Sequence, residues 1–413
     1  MPSAIYHRDT CRLCLSRDVV IALPLVPTPI ADQYLPKGRL DEPQPVIPID
    51  LYLCRSCGHV QVLDVIPPEI LFKDYIYVSA SSLRLDEHFQ KYADDVIADG
   101  GLKPGMKVMD IGSNDGTLLR FFKKKGFLTL GVDPATEIAK QATVEGIETI
   151  PAFFTAAESI RILKKYGKMD LVTANNVFAH ADDMGDVATG IQNILAPNGI
   201  FVFEVSYLLD LMEGMVFDYT YHEHLCHHSV KPLKKFLARH GLELIHVQRV
   251  PTKGGSIRGT AQLTGGPKST SSSVAEFIKT EDAYGLEKIE TFNKFAIKIE
   301  KVKKEVLALI DDLIAKGKKI GAYGASATST TLIYHFDLGR RLPYIIDDNP
   351  QRQNLFSPGF HLPVLSPNEI PLKKPDYIVI LAWRYAEPIM KKHRSFLEQG
   401  GHFIIPLPSL QVV

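Results

Sequence analysis

Four of the five cysteines stand in two short pairs, Cys11-Arg-Leu-Cys14 and Cys54-Arg-Ser-Cys57, and this spacing constrains the fold more than any other feature of the chain. In each pair the two thiols can converge from one tight knuckle, and Gly58 after the second pair suits such a turn. The N-terminus "MPSAIYHRDTCRLC" lacks the basic-then-apolar layout of a signal peptide, so a cytoplasmic, reducing setting is expected. There, two such pairs favour a four-thiolate zinc site over disulfides, with a redox dithiol as the competing reading. Four thiolates leave no open coordination position. The metal is therefore expected to be structural, holding together an N-terminal module too small to be stable without it. The gap between the pairs is long for a compact ribbon, so a strand or hairpin is expected within it.

The rest of the chain is too long for one core, and roughly two or three domains are expected from 413 residues. The 47 Lys and Arg balance 47 Asp and Glu, which gives no electrostatic case for nucleic acid or an anionic membrane surface. No apolar run approaches the roughly 20 residues that span a bilayer.

From about residue 106 strands and helices alternate. "MKVMDIGSNDGTLLRFFKKKG" reads as strand, Gly-rich turn and helix, and "LTLGVDPATEIAKQA" repeats the pattern. "MDLVTANNVFAH" and "GIFVFEVSY" are further strands, and "LELIHVQRV" with "SIRGTAQLTG" reads as a terminal hairpin. This predicts an α/β fold with a doubly wound central domain. The first turn points to the ligand. Gly112 and Gly116 allow close approach to the backbone, and Asp133 ends the next strand, where a carboxylate accepts from ribose hydroxyls. Asp110 and Asp115 would repel a pyrophosphate but suit a cationic ligand with a ribose and an amino group, which describes S-adenosylmethionine. Asn114 in the turn and Asn175 at the end of a later strand join the candidate cofactor residues. Some other nucleotide is the alternative.

The C-terminal third reads as a long helical stretch from Ser273 to Gly317, then a second, Rossmann-like α/β domain. Gly324 and Ser326 in "GAYGAS" sit at a strand-to-helix turn able to hold a phosphate, or forming a purely structural turn. GAYGAS is not GxGxxG, so NAD is disfavoured despite Asp347 after the next strand.

"YTYHEHLCHH", Tyr219 to His228, follows the last parallel strand, where ligands of open α/β sheets sit. The stretch could be a metal site, an acid/base centre or a solvated loop. HExxH is absent, because Cys226 stands where its second His would be.

The paired cysteines, "DIGSNDGTLL", "GVDPA", "NNVFAH", "YHEHL", "GGSIR", "GAYGASAT" and "DDNP", in that order, resemble the nucleotide-sugar C-methyltransferases of deoxysugar pathways over essentially the whole chain. Two positions depart from that family's pattern: Lys253 replaces the His that usually precedes Gly-Gly-Ser, and Arg384 the Asn that usually follows Trp. The resemblance implies a zinc module (1–72), a central S-adenosylmethionine domain (73–265) and a C-terminal helical linker with a Rossmann-like domain (266–413). It also implies methyl transfer to the carbon alpha to the keto group, taken as C-3, of a nucleotide-linked 4-keto deoxysugar. The nucleotide is taken as dTDP, with GDP as the alternative, and the enzyme as a monomer.

On this resemblance His224 is the base that forms an enolate, with Tyr221 and Glu223 fixing the site. His180 and Asn176 contact the sugar or its enolate, and Tyr75 closes the pocket, with Tyr77 as its rival. His222 and Arg258 are placed among the substrate contacts, and Gly324 and Ser326 on the sugar-nucleotide diphosphate. Histidine suits the role, since its pKa lies near the operating pH. An O- or N-methyltransferase, a non-catalytic interaction protein and an NAD-dependent sugar-nucleotide enzyme are the competing classes.

Overall fold

The computed structural model describes residues 5–72 and 85–413. In the N-terminal module the strands Val19–Leu23, Leu51–Cys54 and Val60–Val62 form an antiparallel sheet. The strand Leu51–Cys54 runs straight into the second cysteine knuckle, whose turn is closed by the Gly58 amide donating to the Cys54 carbonyl at 2.8 Å. Gly58 has φ +82°, a conformation that costs a glycine little.

The central sheet has seven strands. Their order is Leu242–Val250, Ser256–Leu263, Leu195–Ser206, Met169–Asn175, Lys107–Ile111, Leu128–Val132 and Thr149–Ile150. The last five are mutually parallel, and the first two form the expected antiparallel hairpin at the edge. Val108, Met109, Leu171 and Val172 are all fully buried, as expected for strands covered on both faces. Strand order reverses beside Lys107–Ile111, so a crevice opens where this strand and Met169–Asn175 end.

The expected single long helical stretch is two helices, Ser272–Tyr284 and Ile289–Ala315, broken at Gly285. Gly285 adopts φ +84° and caps the first helix by donating to Glu281 O. The C-terminal sheet orders Val364–Leu365, Ile345–Ile346, Ile320–Tyr323, Tyr377–Ile380 and His402–Ile405 in parallel, with Gln411–Val412 antiparallel at its edge. Among the described residues no helix is long and apolar enough to cross a membrane.

Two contacts between these parts position the site. The short strand Cys226–His227 pairs with Gln61 and Val60, so it adds a fourth strand to the zinc module's sheet. From the other side the C-terminal domain grips the turn Phe217–Tyr219. Asp218, fully buried, accepts from Trp383 Nε1 at 2.9 Å and from Arg384 at 3.0 Å. The Thr331 hydroxyl donates to Thr220 O at 2.8 Å, and Phe336 stacks on Phe217.

Candidate active site

A cavity of about 510 Å³ lies in the crevice beyond Lys107–Ile111 and Met169–Asn175. Asp110, Gly112, Asn114 and Asp133 line one end, with Asn175 and Asn176 alongside. The Asp133 carboxylate is fixed by accepting the Asn114 and Ala135 amides, each at 2.8 Å, and each oxygen keeps a lone pair for a ribose hydroxyl. Burial pushes the Asp110 carboxyl up to about 7, opposed by the Thr173 hydroxyl that donates to it at 2.6 Å. Two buried acids at one end of a cavity suit a cationic ligand, which would pull both toward the charged form. Asn114, Asn176 and Lys253 all line this cavity and all have left-handed backbones, with φ of 48°, 58° and 53°. Strained conformations of this kind collect at functional sites.

Asp115 and Gly116 do not line the cavity. Asp115 accepts the Thr117 amide at 3.0 Å and hydroxyl at 2.6 Å, which fixes the start of the helix Thr117–Lys124. Gly112 does line it, but a Cβ there would lie 2.2 Å from Val177 Cγ2, so close packing also demands the glycine.

At the other end of the cavity are His180, His222 and Lys253. His224 is not on the cavity wall itself; its ring stacks on that of His180, with centroids 5.1 Å apart. His224 Nδ1 donates to the Tyr219 carbonyl at 2.6 Å, which places the ring proton on Nδ1 and leaves the Nε2 lone pair for accepting a proton. The Tyr221 and Tyr219 rings flank His224, with centroids 4.0 Å and 4.3 Å away. Burial holds the His224 pKa well below the ordinary histidine value, with His180 adding to it. His222 Nε2 donates to Ile47 O at 3.3 Å, and among the described residues its buried Nδ1 has no partner. Glu223 is buried and lies within electrostatic range of Lys253. His227 and His228 are packed inside as neutral rings, their pKa values lowered by burial to about 3 and 4. Among the described residues no metal-ligand cluster forms from these histidines; the one such cluster is Cys11, Cys14, Cys54 and Cys57.

Those four sulfurs lie within 4.8 Å of one another, with Cys11 and Cys57 at 3.7 Å and Cys14 and Cys54 at 3.5 Å. A tetrahedral zinc with Zn–S bonds of about 2.3 Å separates its sulfurs by about 3.8 Å, so the thiols fit the ion.

Residues 11–72 match a zinc binding domain family, 85–247 a methyltransferase domain family, and 251–408 the C-methyltransferase C-terminal domain family. The chain is 33% identical over 408 residues to the C-methyltransferase NovU of Streptomyces niveus, covering 98% of this chain and 97% of that one. The chain belongs to the C-methyltransferase family. It is an S-adenosylmethionine-dependent enzyme with a zinc-binding N-terminal domain, and it methylates carbon in a small molecule. Solved structures overlap it less closely. The 1,6-didemethyltoxoflavin-N1-methyltransferase of Burkholderia thailandensis is 18% identical, covering 50% of this chain and 95% of that one with a TM-score of 0.38. The magnesium protoporphyrin IX methyltransferase of Synechocystis PCC 6803 is 15% identical, covering 43% and 78% with a TM-score of 0.33.

In this C-methyltransferase Arg258, Gly324 and Ser326 fall away from the cavity wall. Arg258 is buried in an ion-pair network, with Nε 2.7 Å from Glu204 and NH1 3.2 Å from Asp95, and it covers the Tyr92 ring. Gly324 and Ser326 lie on a turn of the C-terminal sheet. Ser326 accepts the Ser329 amide to cap its helix, and a Cβ on Gly324 would meet Ala382 at 2.5 Å. Local packing thus accounts for both. Tyr75 and Tyr77 lie outside the described residues. As a member of the cavity wall Lys253 went unread in the sequence, because an edge hairpin carries it back over the sheet.

Proposed function

We propose that this C-methyltransferase acts on the carbon alpha to the ketone of a nucleotide-linked 4-keto deoxysugar, at C-3, with His224 as the base. The observation that carries the reading is the 2.6 Å hydrogen bond from His224 Nδ1 to Tyr219 O. It fixes one tautomer with a proton-accepting Nε2, on a ring that adjoins the cavity through His180.

A carbon beside a ketone becomes nucleophilic only after losing a proton, and a neutral buried imidazole can take it near pH 7. The electron pair moves onto the ketone oxygen, which then needs a donor aimed at it. Tyr221 and Tyr219 hold the His224 ring in place. In this reading Asn176 and His180, both on the wall, orient the sugar, and Asp110 and Asp133, on the same wall, hold the cofactor's cationic and ribose parts. S-adenosylmethionine supplies the methyl group from its sulfonium when bound. The remaining acceleration comes from holding carbon and donor in line. The capacity of this cavity, about 510 Å³, favours a small ligand buried with its cofactor over a macromolecule.

A panel of dTDP- and GDP-linked 4-keto sugars, incubated with S-adenosylmethionine and read by mass spectrometry, tests the reading. One member should gain a single methyl group on carbon. Methylation of a hydroxyl or amine, or of no member, would overturn it.

A further inference from the structure

Among the described residues Lys253 is the only Lys or Arg on the cavity wall, whose acids are Glu69, Asp110, Asp133, Asp182, Asp183 and Asp186. It sits in the turn of the hairpin between Leu242–Val250 and Ser256–Leu263. Its backbone has φ +53°, which costs a long side chain about 1 kcal/mol or more. The next two glycines explain how that strain is held. A Cβ on Gly254 would lie 3.0 Å from Arg384 Cδ, and one on Gly255 would lie 2.2 Å from Asp210 Cβ. The turn is pressed between these two side chains and tied by Tyr207 N donating to Gly255 O and Gly255 N to Thr252 O. Lys253 is thereby aimed at the histidine end of the cavity.

Among the described residues, the charged and titratable groups around it come from three elements: Glu204 on the last parallel strand, His180 after its neighbour, and Glu223 and His224 on the following loop. His222 shares its stretch of wall. The two glutamates favour its charged form, while burial opposes it and lowers the ammonium to about 8.

We propose that Lys253 is a catalytic residue whose ammonium meets the ketone oxygen of the substrate and pairs with the oxyanion as the carbon proton leaves. This rests on the enolate reading above. The balance is complete. The C–H bond breaks, its proton goes to His224 Nε2, and its electron pair moves through carbon to oxygen. When the carbon–methyl bond forms, the C=O is restored and the S–CH3 electrons stay on sulfur. The proton leaves His224 for solvent. An ammonium whose proton is held loosely is a strong donor to such an oxyanion. Its charge also disfavours protonation of the neighbouring histidines before substrate binds.

The test uses zinc-loaded enzyme, the 4-keto sugar nucleotide that wild type methylates, and the variants K253M and K253R. Zinc content and S-adenosylhomocysteine affinity serve as checks on the fold and on the cofactor end. K253M should bind S-adenosylhomocysteine normally and lose about 10²- to 10³-fold in kcat, the usual effect of deleting one oxyanion donor. Solvent deuterium exchange at the reacting carbon should fall with it. K253R keeps the charge without titrating near neutrality. It should recover much of the rate and lose the alkaline limb that wild type shows near pH 8. Wild-type exchange and turnover in K253M would overturn the role, as would a limb near pH 8 that persists in K253R. Weakened S-adenosylhomocysteine binding with unimpaired exchange would also overturn it, and would place Lys253 on the carboxylate of the methyl donor. If wild type leaves the whole ketone panel untouched, the ketone reading fails and the role falls with it. An active wild type with an insensitive K253M defeats the role of Lys253 alone.

Discussion

Arg12, held between the two zinc-binding cysteines of the first knuckle, places its Nε 2.9 Å from Oδ1 of Asp182 on the cavity wall. The guanidinium is buried and also donates to Gln61 Oε1 and to the Val62 carbonyl. Arg8 and Tyr6 donate to the same carboxylate. The metal module thus anchors one side of the methyl-transfer cavity.

Asp182→Asn should therefore keep the zinc but loosen the cavity. Losing the charge-assisted hydrogen bond to Arg12 costs roughly 1.5–3 kcal/mol. The expected outcome is a lower Tm, one equivalent of zinc by metal analysis, and a raised KM. Cys54→Ser should instead lose metal and folded protein together, so a stably folded, metal-free wild type would contradict the structural role of the ion.

Asp133→Asn removes a charged acceptor from the cofactor end, where a charge-assisted hydrogen bond is worth roughly 1.5–3 kcal/mol. Affinity for S-adenosylmethionine, measured by calorimetry, should fall on the order of tenfold or more. Unchanged affinity would place the ribose elsewhere.

Asp110 gives a pH signature. Its folded pKa, about 7, lies above the unfolded value, so deprotonation opposes folding as pH rises through that range. A cationic ligand needs the carboxylate, so cofactor affinity should weaken as pH falls below 7. Asp110→Asn should flatten that profile, bind weakly throughout, and raise the Tm of the ligand-free protein at pH 8. A pH-independent wild-type affinity would count against contact between Asp110 and the cation.

His224→Asn should lose both deuterium exchange and methylation, by roughly 10²- to 10⁴-fold if general-base catalysis has its usual weight. Cofactor binding should be normal. In wild type the acid limb of kcat should lie below the ordinary histidine range, because burial lowers the His224 pKa. His222→Asn should be milder. If the His222 variant lost exchange and the His224 variant kept it, the unpartnered Nδ1 of His222 would become the base.

Much of this was legible in residue spacing, and what was not followed from tertiary approach. The cysteine pairs, the Asp110–Gly116 turn and the position of the histidine loop are local patterns, and each occupies the element expected of it. Asp115 was read as a ligand residue, yet Thr117 two positions later was already a sign of a capping turn. Gly285 stood in the helical stretch as a visible stop signal. Lys253 stood out only as a departure from the family pattern, with nothing local to place it on the cavity wall. It reaches the cavity only because a hairpin folds back across the sheet edge and two glycines let it pack against Asp210 and Arg384. The match of Cys226 with Gln61 in one sheet is likewise a long-range pairing.

That pairing sets an order of assembly. During synthesis the ribosome delivers Val60–Val62 well before the strand that covers its edge, so the nascent module presents open backbone hydrogen-bonding groups in the meantime. An N-terminal fragment cut before Cys226 would keep that exposed edge permanently and be prone to self-association. Zinc can be loaded onto the young chain early, but the reaction centre closes only when the chain returns to dock beside it.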